Sequence, residues 1–148
     1  MGLRDKIQMK ILVMGLSGSG KSSLSSQLHK ELPSSLWLNA DQLRKDYNDW
    51  DFSIEGRIRQ AKRISKLSNL TTKQYVIADF IAPLPEQRDI FNADIIIWMN
   101  TIKSYKYEDT NQAFQAPDKY DIKFDSFNKI DVSKVLNIIK AYAYPFYK

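Results

Sequence analysis

The sequence predicts a three-layer α/β fold around a mainly parallel central sheet of about five strands, and three observations lead there. Short apolar runs alternate with amphipathic stretches along most of the chain, the order of strands joined by helical crossovers. The runs are nearly continuous in apolar residues, as strands covered on both faces are. The first run enters a glycine-rich segment, Gly15-Leu16-Ser17-Gly18-Ser19-Gly20-Lys21-Ser22, which passes directly into a helical pattern.

Residues 10–14 read as the first strand. A helix follows over 21–32, with Leu24, Leu28 and Leu32 on one face and Pro33 as its stop. Residues 36–39 form a second short strand, after which Asp41 sits at the N-cap or first turn of a small helix running to Tyr47. Ser53 caps the next helix, along which Ile54, Ile58, Ala61, Ile64, Leu67 and Leu70 recur at spacings of three and four. Residues 74–78 are a third strand. Pro83 and Pro85 punctuate the loop beyond it, and 86–91 form a short helix with Pro85 at its start. Residues 93–99 are a fourth strand and 122–124 a fifth. A terminal helix covers 132–142, with Val135, Leu136, Ile138 and Ile139 on its packed side. The stretch 100–119 is polar, mixed in charge and long for a connector, so a lid or binding loop and a plain surface excursion both fit it.

Composition narrows the function. A chain of 148 residues is expected to be one domain, 1–148, with room for a single core. It has no cysteine and one histidine, His29, which excludes disulfides and thiolate metal sites and argues against structural zinc. No apolar run approaches membrane-spanning length, so a cytoplasmic protein without a membrane partner is expected. The net charge of +5 suits anionic ligands, nucleotide or nucleic acid alike.

The segment from Gly15 to Ser22 matches the pattern G-x-x-x-x-G-K-[ST] in full, the signature of a P-loop NTPase-type fold. Gly15, Gly18 and Gly20 let the backbone wind close to phosphate oxygens where a Cβ would clash. The N–H groups of Ser17, Ser19 and Ser23 belong with them to a loop and helix start that present positive charge to an anion. Lys21 brings a full charge to the β and γ phosphates of ATP, and the Ser22 hydroxyl can ligate Mg²⁺.

A P-loop specifies the phosphate donor. The acceptor side begins beyond the second strand, where Asp41 and Arg44 lie three apart on one helical face near the carboxyl edge of the sheet. A carboxylate there can take the acceptor hydroxyl's proton or hold a metal-bound water, and an arginine beside it can grip an anionic acceptor bidentately. Lys21, Asp41 and Arg44 are therefore the candidate catalytic residues.

These blocks, together with Asp49-Trp50-Asp51-Phe52-Ser53-Ile54-Glu55-Gly56-Arg57, Phe80-Ile81-Ala82-Pro83 and Arg88-Asp89, resemble adenylylsulfate (APS) kinases in order and spacing over roughly the first hundred residues. The resemblance implies ATP-dependent phosphorylation of the 3′-hydroxyl of adenosine 5′-phosphosulfate, a small-molecule nucleotide acceptor. It implies Asp41 as the catalytic carboxylate and Arg44, Phe52, Arg57, Gln60, Ile81, Ala82 and Pro83 as the acceptor site. Phe52 would stack on a purine and Arg57 would contact the phosphosulfate. The chain departs from the family at Asn39-Ala40-Asp41, where Asp-Gly-Asp is usual, so one carboxylate is lost. It also has Gln60 for the usual Asn and Ala82 for the usual Ser, and the basic lid is not recognisable in 100–119.

Two other readings stay open. Residues 39–44 also resemble P-loop polynucleotide 5′-hydroxyl kinases, and Arg59, Lys62, Arg63 and Lys66 make one basic stripe suited to a nucleic-acid backbone or simply to solvent. The aromatic end from Tyr142 to Tyr147 suits base stacking, packing on the domain, or a partner subunit in a homodimer. A non-catalytic nucleotide-binding module is the third reading.

Overall fold

The computed structural model describes residues 8–103 and 113–147, with side chains described as far as Ala143. The expectations for 104–112, within the lid stretch, and for the side chains of 144–147 lie outside the described residues.

Five strands, β1 (Met9–Met14), β2 (Ser35–Asn39), β3 (Tyr75–Asp79), β4 (Ile95–Met99) and β5 (Ile122–Phe124), form one sheet in the order β2-β3-β1-β4-β5. Every neighbouring pair is parallel. Five helices join them among the described residues: α1 (Lys21–Glu31), α2 (Ala40–Tyr47), α3 (Ile54–Leu70), α4 (Pro85–Phe91) and α5 (Val132–Tyr147).

The period-two alternation of a strand sorts β1 between two cores. Met9, Ile11 and Val13 face one layer, where Leu24 and Leu28 of α1 meet Val135 and Ile139 of α5. Leu12 and Met14 face the other, built from Leu43 of α2, Ala61 and Ile64 of α3 and Phe91 of α4. A strand covered on both sides has little room for polar residues, which explains why the central strands are nearly continuous in apolar residues.

The caps agree with the local chemistry. The Ser53 hydroxyl accepts from the Gly56 N–H at 3.1 Å and starts α3. Pro85 opens α4, where its missing N–H costs nothing. For α2 the cap is Asn39, whose side chain accepts from the Gln42 N–H at 2.9 Å, and Asp41 lies in the first turn.

Two expectations need correction. The inward face of α3 is not the isoleucine and leucine stripe alone: Ile54 and Leu70 are 65% and 69% exposed. Gly56, Arg57 and Gln60 turn inward instead, because the first two turns of α3 form a wall of a cleft and not only of the core. The terminal helix also runs past Tyr142 and Pro145 to Tyr147. The Tyr142 hydroxyl donates to Asp94 Oδ1 at 2.9 Å, which fastens that helix to the domain.

Candidate functional site

A cleft of about 340 Å³ opens where β1, β2 and β3 end. One wall is the P-loop, with Ser17, Gly18, Gly20, Lys21, Ser22 and Ser23 on its surface. Gly15 and Ser19 are buried behind it. A Cβ on Gly15, whose φ is 149°, would collide with the Met99 carbonyl oxygen at the end of β4, so the loop leaves the strand at a point only glycine fits. From behind, the Thr101 hydroxyl donates to the Ser19 carbonyl at 2.8 Å and ties the loop to the segment after β4.

Lys21 is 8% exposed, and its Nζ donates to the Leu16 carbonyl at 2.9 Å. Burial pulls the ammonium's pKa below the usual lysine value, while the charges of Asp79 and Asp41 act in the opposite direction. A cation desolvated in this way gains strongly from an anion brought beside it.

The facing wall carries the acceptor candidates. Asp41, Arg44, Phe52, Arg57 and Gln60 line the cleft, and Ile81, Ala82 and Pro83 complete it from the loop after β3. Arg44 and Arg57, each 5% exposed, are built into the wall and are not surface arginines. Arg44 Nη1 donates to the carbonyls of Asp49 and Asp51 at 2.8 and 3.1 Å, and Arg57 Nε donates to the Phe52 carbonyl at 2.8 Å. The 49–53 loop is thereby wrapped around two guanidinium groups. Its outer side is fixed by Asp49, which accepts from Arg59 and Arg63 at 2.8 Å. Those two bonds, Arg59 first, hold the Asp49 carboxyl well below the usual carboxylate range.

Phe52 stays 46% exposed, with its ring centroid 4.2 Å from the Arg44 guanidinium carbon and 5.9 Å from that of Arg57. A core role for this ring is thus excluded. Gln60 Nε2 reaches the Ala40 carbonyl at 3.1 Å, joining α3 to the start of α2. Ala82 sits at a φ of 51°, a conformation that costs a non-glycine residue roughly 1–2 kcal/mol. Arg88 holds it there, donating to the carbonyls of Ala82 and Pro83 at 3.0 and 3.1 Å and to that of Gln115.

Two cleft residues escape the sequence reading. Gln87 bridges α4 and α3 through Leu84 N–H and the Arg57 carbonyl, at 3.1 and 3.2 Å. Asp79 ends β3, is 2% exposed and receives the Ser22 hydroxyl at 3.1 Å. Burial pushes its carboxyl pKa up, against the hydrogen bonds from Asn39, Ser22 and Trp37 and the charge of Lys21. The sequence shows only a carboxylate directly after the apolar run 75–78; that this run lies beside the P-loop strand is seen only in the sheet.

The basic stripe on α3 divides. Arg59 and Arg63 are paired to Asp49, while Lys62 and Lys66 face outward. Among the described residues, no helix is long and apolar enough to cross a membrane.

A family model described as adenylylsulphate kinase matches residues 8–109. The adenylyl-sulfate kinase of Oceanobacillus iheyensis is 41% identical over 88 residues, covering 55% of this chain and 44% of its own length. The chain thus spans about half the length of the curated relatives it matches. The APS kinase of Mycobacterium tuberculosis, solved with AMPPNP and APS, superposes with a TM-score of 0.66 at 20% identity, over 91% of this chain and 96% of that one. A gluconokinase from Sinorhizobium meliloti gives a TM-score of 0.62 at 14% identity, over 95% and 94%. Kinases of unlike acceptors therefore share this fold.

Proposed function

The chain belongs to the adenylylsulphate kinase family, and on that premise we propose that it transfers the terminal phosphate of ATP to a hydroxyl of a nucleotide-like acceptor, with the 3′-hydroxyl of adenosine 5′-phosphosulfate foremost. The observation that carries the reading is the single cleft in which Lys21 and Ser22 face Asp41, Arg44, Arg57 and Phe52.

In this reading Lys21 and the loop N–H groups hold the β and γ phosphates and stabilise the charge of the transferring group. Asp41 orients the acceptor hydroxyl and takes its proton. Arg44 and Arg57 anchor the acceptor's anionic groups, and the open face of Phe52 stacks on its base. The wall is already rigid through the Asp49, Gln60 and Gln87 bonds, so binding orders few side chains.

Magnesium fits the donor set. Ser22 offers a hydroxyl oxygen on the cleft wall, and among the described residues no group of three or more His, Cys, Asp or Glu side chains gathers into a metal cage. Such a site suits an ion held largely by phosphate oxygens and water. When bound, it would neutralise phosphate charge.

A screen with labelled ATP tests the reading. APS, nucleosides, nucleoside monophosphates and 5′-hydroxyl oligonucleotides are offered as acceptors, and transfer to APS is the expected result. Transfer to oligonucleotides alone would select the polynucleotide reading, and nucleotide binding without any transfer would select a non-catalytic module. Asp41→Asn is expected to lower turnover by about 10²-fold or more while ATP affinity is kept. A rate close to that of the unmodified chain would remove Asp41 from the chemistry.

A further inference from the structure

The acceptor wall contains one residue whose backbone is held where it would not rest by itself. Ala82 is buried, lines the cleft and has a φ of 51°. It also precedes Pro83, and the residue before a proline is pushed toward extended backbone with φ about −120°. A left-handed alanine is disfavoured roughly tenfold even without that proline. Released from its neighbours, the loop would relax, and Ile81, Ala82 and Pro83 would shift on the wall they form.

The restraint comes from outside the cleft. Arg88, which does not line it, turns one planar guanidinium toward three main-chain carbonyls. Its Nε donates to Ala82 at 3.0 Å, and its Nη2 donates to Pro83 at 3.1 Å and to Gln115. The Gln115 N–H donates to the same Pro83 carbonyl at 2.8 Å, so the two segments are joined twice. Both sides of this junction are anchored. Arg88 stands on α4, which the Gln87 bond to the Arg57 carbonyl fastens to α3, and Phe114 packs against the apolar layer of Leu12 and Phe91. Among the described residues no carboxylate stands within ion-pair distance of Arg88. The guanidinium thus serves the backbone alone, and a rigid fork can bridge two segments where a point charge cannot.

We propose that Arg88 is a positioning residue for the acceptor: it clamps the 81–83 loop in its strained, acceptor-binding form, with the chain at Gln115 as the second jaw. The proposal deepens the kinase reading and rests on it. Such a clamp acts on populations. Without it the wall is relaxed most of the time, and acceptor affinity falls by the fraction of the wall still in the binding form. A bound acceptor meets the same wall as before, so turnover at saturation is kept. ATP, on the facing wall, is unaffected.

The test separates acceptor affinity from turnover. Initial rates of the full chain are measured at saturating Mg-ATP with APS varied, or with a 5′-hydroxyl oligonucleotide where that is the acceptor used. Affinity for a non-hydrolysable ATP analogue is measured by calorimetry. Arg88→Met is expected to raise the acceptor KM about tenfold, with kcat kept within about threefold and analogue affinity unchanged. Arg88→Lys keeps the charge without the fork and is expected to recover only part of that loss. An Arg88→Met chain with a lowered kcat and an unaltered KM has only a smaller folded fraction, and it overturns the proposal. A lysine variant with the KM of the unmodified chain also overturns it, and decides alone should Arg88→Met fail to fold. An unmodified chain that transfers phosphate to none of the acceptors overturns the kinase reading and this proposal together.

Discussion

Asp49 accepts two bonds from Arg59, at 2.8 and 2.9 Å, and one from Arg63 at 2.8 Å, while its own carbonyl receives Arg44. Asp49 thus ties the 49–53 loop to α3, beside a longer ion pair from Arg59 to Asp51 at 3.1 Å, and a pH experiment on an Asp49 variant reads its contribution. The arginine bonds hold its folded-state pKa below the value of about 3.9 expected in the unfolded chain. A carboxylate depressed in this way contributes fully above the unfolded value and loses the contribution as pH falls toward the folded one. Asp49→Asn is therefore expected to lower the melting temperature by a few degrees at neutral pH, with a constant gap down to about pH 5 and a closing gap below it. A gap independent of pH would mean that the loss is one of shape and not of charge. Legibility at this scale followed chemistry with a fixed motif. Lys21 and Ser22 stood out because the P-loop pattern fixes their spacing, and both lie on the cleft wall, whereas Asp79 acquires meaning only when β3 is laid beside β1 and β2. That adjacency is a property of strand order, and no local pattern encodes it.

Among the elements, the strands and helix starts were legible because burial on two faces and capping are local constraints. α3 was legible as a helix but not in its orientation. Its apolar period pointed inward through Ile54 and Leu70, whereas the requirement for a polar wall turned Gly56, Arg57 and Gln60 toward the cleft. Gly56 shows the constraint most directly. A Cβ there would meet the Asp51 carbonyl oxygen and lie 2.5 Å from Asp51 Cγ, so the loop crosses the helix at the closest approach a glycine allows. Gly56→Ala gains about 1 kcal/mol of helix propensity, but displacing packed main chain costs about 1–3 kcal/mol. The variant is expected to be less stable in urea and to raise the acceptor KM through the shifted Phe52 and Arg44, with ATP binding unchanged. Greater stability with an unaltered KM would show that the loop yields freely.

For the whole molecule, two apolar layers support a site that works against the fold. The layers run through Ile11, Leu28 and Ile139 on one side and Leu12, Ile64 and Phe91 on the other, all within 1% of full burial. Between them and the cleft stand a desolvated ammonium at Lys21 and a desolvated carboxylate at Asp79. A desolvated ammonium gains when an anion such as phosphate is brought beside it, and a site of that kind follows the pattern expected when stability is given up for binding. Lys21→Met keeps most of the volume and removes the buried charge. Its melting temperature without nucleotide is expected to equal or exceed that of the unmodified chain. The unmodified chain, given an ATP analogue and Mg²⁺ at a hundredfold excess over its dissociation constant, is expected to gain about 2.7 kcal/mol by linkage, and Lys21→Met is expected to lose that gain. Thermal scans of both proteins with and without ligand read the two effects together. A variant destabilised without ligand would instead assign Lys21 a role in the fold, through its bond to the Leu16 carbonyl and through the charge it sets against the buried Asp79 carboxylate, and the charge would then belong to the architecture.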